Sequence, residues 1–382
     1  MNVPERLLLG PGPSPVSSRV MQAMGSPVVS HLDPAMNVLL DEVRQRLAST
    51  FGAGDGALSL AISGTGTAGM EAAVANVARP GARAVVVVTG YFGDRLAQML
   101  ERYAVAVTRV QVEWGRACDP AQVERALSEP ADIVAMVHGE TSTGVVNPVH
   151  EIAAIAHARG ALTIVDAVTT LGGVPLKTGA SAIDVCYSCT QKGLGAPSGL
   201  APITFSRRAL EKRAPSRSFY VDLALLEDFW LRRKYHHTIS APLVYALHEA
   251  LAVVEEEGLE TRWERHRRHH EALVAGLDAL GLSLLPPASE RLWTLNAVRV
   301  PEGVDEAAVR RRLLDEFGIE IGAGLGPVAG KIWRVGLMGA GSTLGNILLF
   351  LSAFERVLRA GGHRLGSESA ALAAAERVAA AV

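Results

Sequence analysis

Cysteine is scarce in this chain, and its few copies leave no room for a disulfide framework. Cys118, Cys186 and Cys189 are odd in number, and two of them share one apolar run, which suits buried thiols. A reducing, cytoplasmic setting is the expectation that follows. Charge of one sign is lacking too. A net charge of -2 over 382 residues provides no basic field, so nucleic acid is not an expected partner. No apolar run approaches the roughly 20 residues that span a bilayer, so no membrane partner is expected. Before Gly10-Pro11-Gly12-Pro13 stands only the run Leu7-Leu8-Leu9, too short for a secretory leader. The Ala-rich stretch Ala374 to Val382, with Glu376 and Arg377, matches no peroxisomal ending and reads as a helix or frayed tail.

What is present is a composition of 49% hydrophobic and 20% charged residues, that of a soluble globular protein long enough for one large and one smaller domain, or for two comparable ones. Short runs rich in β-branched residues alternate with helical patterns, the signature of βα units and a mostly parallel sheet. The strands expected are Ala84 to Val88, Ile133 to Val137, Leu162 to Val165 and Ile183 to Tyr187. Helices are expected over Gly93 to Tyr103, Pro120 to Leu127 (capped by Asp119) and Val149 to Arg159. Near Arg262 the texture changes to a charged helical stretch, followed by shorter strands at Thr294 to Val300 and Ile332 to Val335, which places a domain boundary here. His266, His269 and His270 lie in that stretch without cysteines or carboxylates at ligand spacing, so they read as a solvated helix face and no metal is expected.

Three segments carry chemistry. Ser63-Gly64-Thr65-Gly66-Thr67-Ala68-Gly69 joins the apolar Ala57 to Ile62 to the helix-like Met70 to Val77. A glycine-rich turn entering a helix offers free N–H groups and the positive end of the helix dipole, which suits a phosphate. The same letters satisfy GxGxxG, so a dinucleotide and a merely structural turn stay open as alternatives. Against the dinucleotide, Ala84 to Val88 ends in Thr89-Gly90 where a ribose-binding acid belongs. The second segment, Leu162 to Val168, is an apolar strand ending in Asp166, either a ligand-facing acid or a cap for the next turn. The third sets Lys192 among Gly193, Gly195 and Ala196 after a strand, where a surface lysine would not require such small neighbours. Together, a phosphate cradle, a strand-end acid and a strand-end lysine are the parts that hold pyridoxal phosphate. The acid keeps the ring nitrogen protonated, and the lysine forms a Schiff base and moves the substrate α-proton.

At this point the sequence resembles the fold-type I, class V aminotransferases, in particular the alanine-glyoxylate and serine-glyoxylate (serine-pyruvate) group. The resemblance runs from Leu8-Leu9-Gly10-Pro11-Gly12-Pro13-Ser14 to Gly330-Lys331-Ile332-Trp333-Arg334-Val335-Gly336. It includes Gly139-Glu140-Thr141-Ser142-Thr143-Gly144, Val165-Asp166-Ala167-Val168, Gln191-Lys192 and Tyr235-His236-His237-Thr238. It implies an α/β fold with a mostly parallel seven-stranded sheet in a large domain, 21–260. A smaller C-terminal α+β domain, 261–382, would follow, and an N-terminal segment, 1–20, would reach the active site.

By the same resemblance, pyridoxal 5'-phosphate is the cofactor, with Lys192 and Asp166 catalytic. Thr65, Gly66, Thr67 and Gln191 would bind its phosphate, Phe92 would stack on its ring, Thr141 would hydrogen-bond the ring's O3' side, and Val168 would also bind the cofactor. Arg334, Gly12 and Thr141 would meet the substrate. A guanidinium fork is suited to a carboxylate, although an arginine on an exposed edge strand is the alternative reading of Arg334. Tyr235 and Thr238, which otherwise read as helix-start residues, would reach the neighbouring subunit's phosphate, implying a homodimer with shared active sites.

The activity implied is ping-pong transamination from L-alanine or L-serine to glyoxylate or pyruvate. Ureidoglycine, pyridoxamine and aminoethylphosphonate are other amino donors within the family. The ureidoglycine type tends to carry amides where His31 and His237 stand. A cysteine desulfurase needs a catalytic cysteine in the second half, and this chain has none after Cys189. A nicotinamide-dependent oxidoreductase rests on the glycine turn alone. A catalytically dead binding protein sits poorly with Lys192, Asp166 and Arg334 all present.

Overall fold

The computed structural model describes residues 3–367 and 369–380. Seven strands form the main sheet: β1 (Leu58–Ser63), β2 (Arg83–Val88), β3 (Ala106–Gln111), β4 (Ile133–Val137), β5 (Leu162–Asp166), β6 (Val185–Tyr187) and β7 (Leu200–Phe205). Their order is β1-β7-β6-β5-β4-β2-β3, and β7 alone runs against its neighbours. This is the mostly parallel seven-stranded sheet expected. Runs such as Ala84 to Val88 and Ile133 to Val137 are buried along their length, as strands covered by helices on both faces must be.

The expected crossover helices occur at Tyr91–Arg102, Pro120–Ala126 and Val149–Ala158. Asp119 caps the second, accepting from Ala121 N at 3.0 Å. Strand β6 begins two residues later than expected, because the Asp184 side chain turns to take Thr163 N at 2.9 Å and Arg208 Nη1 at 2.7 Å.

Buried apolar side chains fall into two principal clusters. The larger runs from Met36 to Val254 around the main sheet. The second joins Leu9 to residues from Ala272 to Ala375. It surrounds an antiparallel sheet ordered Leu295–Arg299, Ile332–Gly336, Gly322–Ala323. Leu7–Leu8 pairs in parallel with Ile319–Glu320, so the start of the chain packs with its last third. The Ala-rich ending forms a helix, Ala370–Ala380, with Ala371 and Ala375 fully buried; Ala381 and Val382 lie outside the described residues.

One expectation is overturned. The charged stretch near Arg262 lies in the helix Leu259–Ala279, but its histidines do not form a solvated face. His266 and His270 are buried, His270 Nδ1 lies 2.6 Å from Asn296 Oδ1, and His266 Nε2 accepts from Gly339 N at 3.2 Å. Arg262, His266, His270, Leu273 and Leu277 recur at helical spacing on one face, which packs at the junction of the two clusters. Polar side chains occupy this face because main-chain and amide groups there need partners. Among the described residues no group of three potential ligands is placed to hold a metal, and no helix is long and apolar enough to cross a membrane.

Phe354 is fully buried in the second cluster, stacked on Phe350 at 5.0 Å and edge-on to Trp333 at 5.1 Å. Phe354→Ala is expected to cost about 3–5 kcal/mol, measured as a fall in the urea midpoint of a probe in the C-terminal third.

Candidate active site

Because six strands point one way, their carboxyl ends gather at one edge of the sheet, where α/β folds bind ligands. Strand β1 ends at Ser63 and passes through Gly64, whose φ of +149° lies in the range that favours glycine, into helix α1 (Gly66–Val77). Thr65 is the N-cap of α1, yet its side chain makes no capping bond. A Cβ on Gly66 would meet Val168 Cγ2 at 3.1 Å and Cys189 Cβ at 3.4 Å, so only glycine fits this start without displacement. Strand β2 leads into helix α2 (Tyr91–Arg102), with Phe92 in its first turn.

Strand β5 ends at Asp166, which is buried. Its Oδ1 accepts from Val168 N at 2.8 Å and its Oδ2 from the Tyr187 hydroxyl at 2.8 Å. The turn-capping alternative and the ligand-facing one therefore describe the same side chain. Tyr187 reaches it because β5 and β6 pair Asp166 with Tyr187 in register. Burial pushes the Asp166 carboxyl up to about 6, against the lowering effect of the Val168 and Tyr187 bonds.

Lys192 is buried and is no surface charge. Burial lowers the pKa of its ammonium, opposed by Cys189 and Asp166. Its carbonyl accepts from Ser14 Oγ at 2.9 Å, and a Cβ on Gly12, where φ is +114°, would lie 3.0 Å from Lys192 Cε. The opening turn is thus packed against the lysine.

A cavity of about 200 Å³ is lined by Thr65, Gly66, Thr67, Phe92, Thr141, Asp166, Val168, Gln191 and Lys192, together with Met70, Arg95, Val137 and Gly139. Nine of the residues expected from sequence therefore share one cavity. Arg334 and Gly12 lie outside its lining but touch it, Arg334 Nη1 donating to the Thr141 carbonyl at 3.3 Å. Arg334 sits on the middle strand of the antiparallel sheet and is buried, so the exposed-edge alternative fails. Burial lowers its guanidinium pKa to about 10, partly offset by Glu140 and Glu320. Tyr235 and Thr238 are not brought to this cavity. They lie in the extended segment before the helix Ala241–Glu257, not at its start, and both are exposed.

Sequence reasoning missed Arg95, Tyr187 and Glu140. Arg95 stacks 5.1 Å from the Phe92 and Tyr91 ring centroids, and its place one turn after Phe92 was a usable signal. The other two depend on strand register and loop packing. The donor set fits pyridoxal phosphate. The open cap at Thr65, the start of α1 and the side-chain NH2 of Gln191, which lines the same cavity, offer a phosphate its donors. Asp166 and Lys192 stand beside them on the same cavity.

Residues 8–338 match the family model described as aminotransferase class-V. A solved ureidoglycine-glyoxylate aminotransferase from Bacillus subtilis superposes with a TM-score of 0.96 at 40% identity, covering 99% of both chains. An alanine-glyoxylate aminotransferase structure from Nostoc sp. gives a TM-score of 0.92 at 45% identity, covering 94% of this chain and 97% of that one. The alanine-glyoxylate aminotransferase of Callithrix jacchus is 37% identical over 94% of this chain and 89% of its own. The chain belongs to the class V aminotransferases, which depend on pyridoxal phosphate, and it has their fold-type I architecture.

Proposed function

We propose that this aminotransferase moves the amino group of a small L-amino acid, alanine or serine, to glyoxylate, with pyruvate as the other candidate acceptor. The observation that carries this reading is the placement of the Arg334 fork against Thr141, at the rim of a small cavity that holds Lys192. Bound pyridoxal phosphate supplies an electron sink for charge developing at the substrate α-carbon. Arg334 Nε and Nη1 are held by the Ala323 and Thr141 carbonyls, and its remaining donors grip the substrate carboxylate. Lys192 Nζ, kept toward its neutral form by burial, takes the α-proton and returns it in the opposite half-reaction. Asp166 holds a proton at the ring nitrogen. Phe92, Thr141 and Val168 would hold the cofactor's ring, Thr65, Gly66, Thr67 and Gln191 would hold its phosphate, and Gly12 packs over Lys192.

We also propose a homodimer with shared sites, built from residues 1–20, a large domain 21–260 and a small domain 261–382. Tyr235, 67% exposed, and the exposed Phe219, Tyr220 and Leu32 are apolar side chains that a second copy would bury while taking Tyr235 and Thr238 to the partner's phosphate.

A ureidoglycine donor is the second reading, favoured by the 40% identity with the Bacillus subtilis enzyme. His31 and His237 argue against it. His237 Nε2 bonds Ser63 Oγ at 2.6 Å and burial lowers its pKa to about 4, so it presents a neutral ring there in place of an amide.

Absorbance of the cofactor-loaded protein separates these readings. Bleaching of the visible band by L-alanine or L-serine and its return with glyoxylate are expected, whereas bleaching by ureidoglycine alone would establish the second. Arg334→Gln is expected to lower kcat/KM for the amino acid on the order of a hundredfold, with the cofactor band retained. Asp166 has a raised pKa in the fold, so its contribution to stability is greatest in acid and is lost as pH climbs from about 4 through about 6. Asp166→Asn should therefore raise the melting temperature of the cofactor-free protein at pH 8 but not at pH 4 while lowering kcat, which calorimetry and steady-state rates will check.

A further inference from the structure

Helix α2 carries Phe92 but has no cap of its own. Its N-cap is Gly90, which has no side chain to accept a bond. Its first N–H groups are taken instead by the segment that follows β4. Tyr91 N donates to Ser142 Oγ at 2.9 Å, and Phe92 N and Gly93 N donate to Glu140 Oε2 at 3.2 and 3.1 Å. Glu140 Oε1 accepts in turn from Ser142 N at 3.1 Å and Ser142 Oγ at 2.6 Å. A Cβ on Gly90 would collide with Ser142 Oγ and Glu140 Cγ, so glycine is required there by space and not by backbone angle. Between the two capping residues, the Thr141 carbonyl holds Arg334 Nη1, and Thr141 Oγ1 pairs with Thr169 Oγ1 at 3.1 Å, on the turn after Asp166.

We propose that Glu140 is a positioning residue for the transamination: a cap supplied across the sheet edge that fixes Phe92, Thr141 and Arg334 relative to one another. This rests on Phe92 facing the cofactor as proposed above, and not on which amino acid is the donor. Four donors converge on the two oxygens of Glu140, which is fully buried. Only an ionised carboxylate accepts on both oxygens, because a glutamine would turn its NH2 against one pair of donors. The start of a helix also favours that negative charge. The charge acts at Lys192 too. Cys189, Asp166 and Glu140 favour the protonated form of its amine, and Arg334 disfavours it.

The test uses the cofactor-loaded enzyme and its Glu140→Gln and Ser142→Ala variants. Three readouts are taken: cofactor dissociation, hydrogen exchange at the start of α2, and the pH midpoint of the visible cofactor band. Glu140→Gln is expected to weaken cofactor binding by roughly tenfold or more, the loss of a charged hydrogen bond. It should speed exchange at Phe92 and Gly93 and move the midpoint to lower pH, since the lost negative charge had favoured the protonated nitrogen. Ser142→Ala keeps the charge, so it should speed exchange at Tyr91 and leave the midpoint in place. Wild-type affinity, exchange and midpoint in Glu140→Gln would overturn the proposal, as would an equal midpoint shift in Ser142→Ala, which would indicate general loosening. Should Glu140→Gln not fold, Glu140→Asp retains the charge and withdraws the oxygens. Weaker cofactor binding at an unchanged midpoint is then expected, and wild-type affinity would overturn the proposal.

Discussion

The parallel run of the main sheet is the constraint on which the rest of the molecule depends. A parallel strand cannot turn straight back into its neighbour, so each is followed by a crossover, and the chain leaves the sheet repeatedly at the same edge. Segments far apart in sequence, ending β1, β2, β4, β5 and β6, therefore bring Thr65, Phe92, Thr141, Asp166 and Lys192 around one cavity. The reversed strand β7 sits between β1 and β6 without disturbing that convergence.

Burial then sets the chemistry of what has been gathered. It moves Asp166, Lys192 and Arg334 toward their neutral forms, because a charge in an interior of low polarity lacks the solvation it has in water. Each group keeps partners that oppose the shift: Val168 N and Tyr187 for Asp166, acidic neighbours for Lys192 and Arg334. The result is that burial shifts Asp166 upward and Lys192 and Arg334 downward, each against the pull of its own partners.

The C-terminal third does more than close the cavity. Arg334 arrives from its middle strand, and Arg262 donates to Gly193 O at 2.7 Å, directly after the lysine. The opening segment pairs at Leu7–Leu8 with that same third, then lays Gly12 and Ser14 against Lys192. Lys192 is thereby held by both the opening segment and the C-terminal third. This arrangement explains why the charged helix near Arg262 is buried on one face: its polar groups satisfy main-chain atoms at the junction of two cores.

Much of this was legible in the residues alone. Unbroken β-branched runs specify doubly covered parallel strands, a glycine turn before a helix specifies a close, uncapped helix start, and an acid or lysine after a strand falls at the edge where the strands' carboxyl ends gather, because each is a local property of a few consecutive residues. The chain by itself thus determined the α/β sheet, the family, and nine of the residues that line the cavity. Tertiary structure alone decided which groups those residues would meet. Tyr187 reaches Asp166 through strand register, Glu140 caps a helix that begins dozens of residues before it, and His266 and His270 turn inward although their neighbours are charged. The physical reason is that a hydrogen bond between distant segments leaves no periodicity in either one; it exists only after the sheet has set the distance between them.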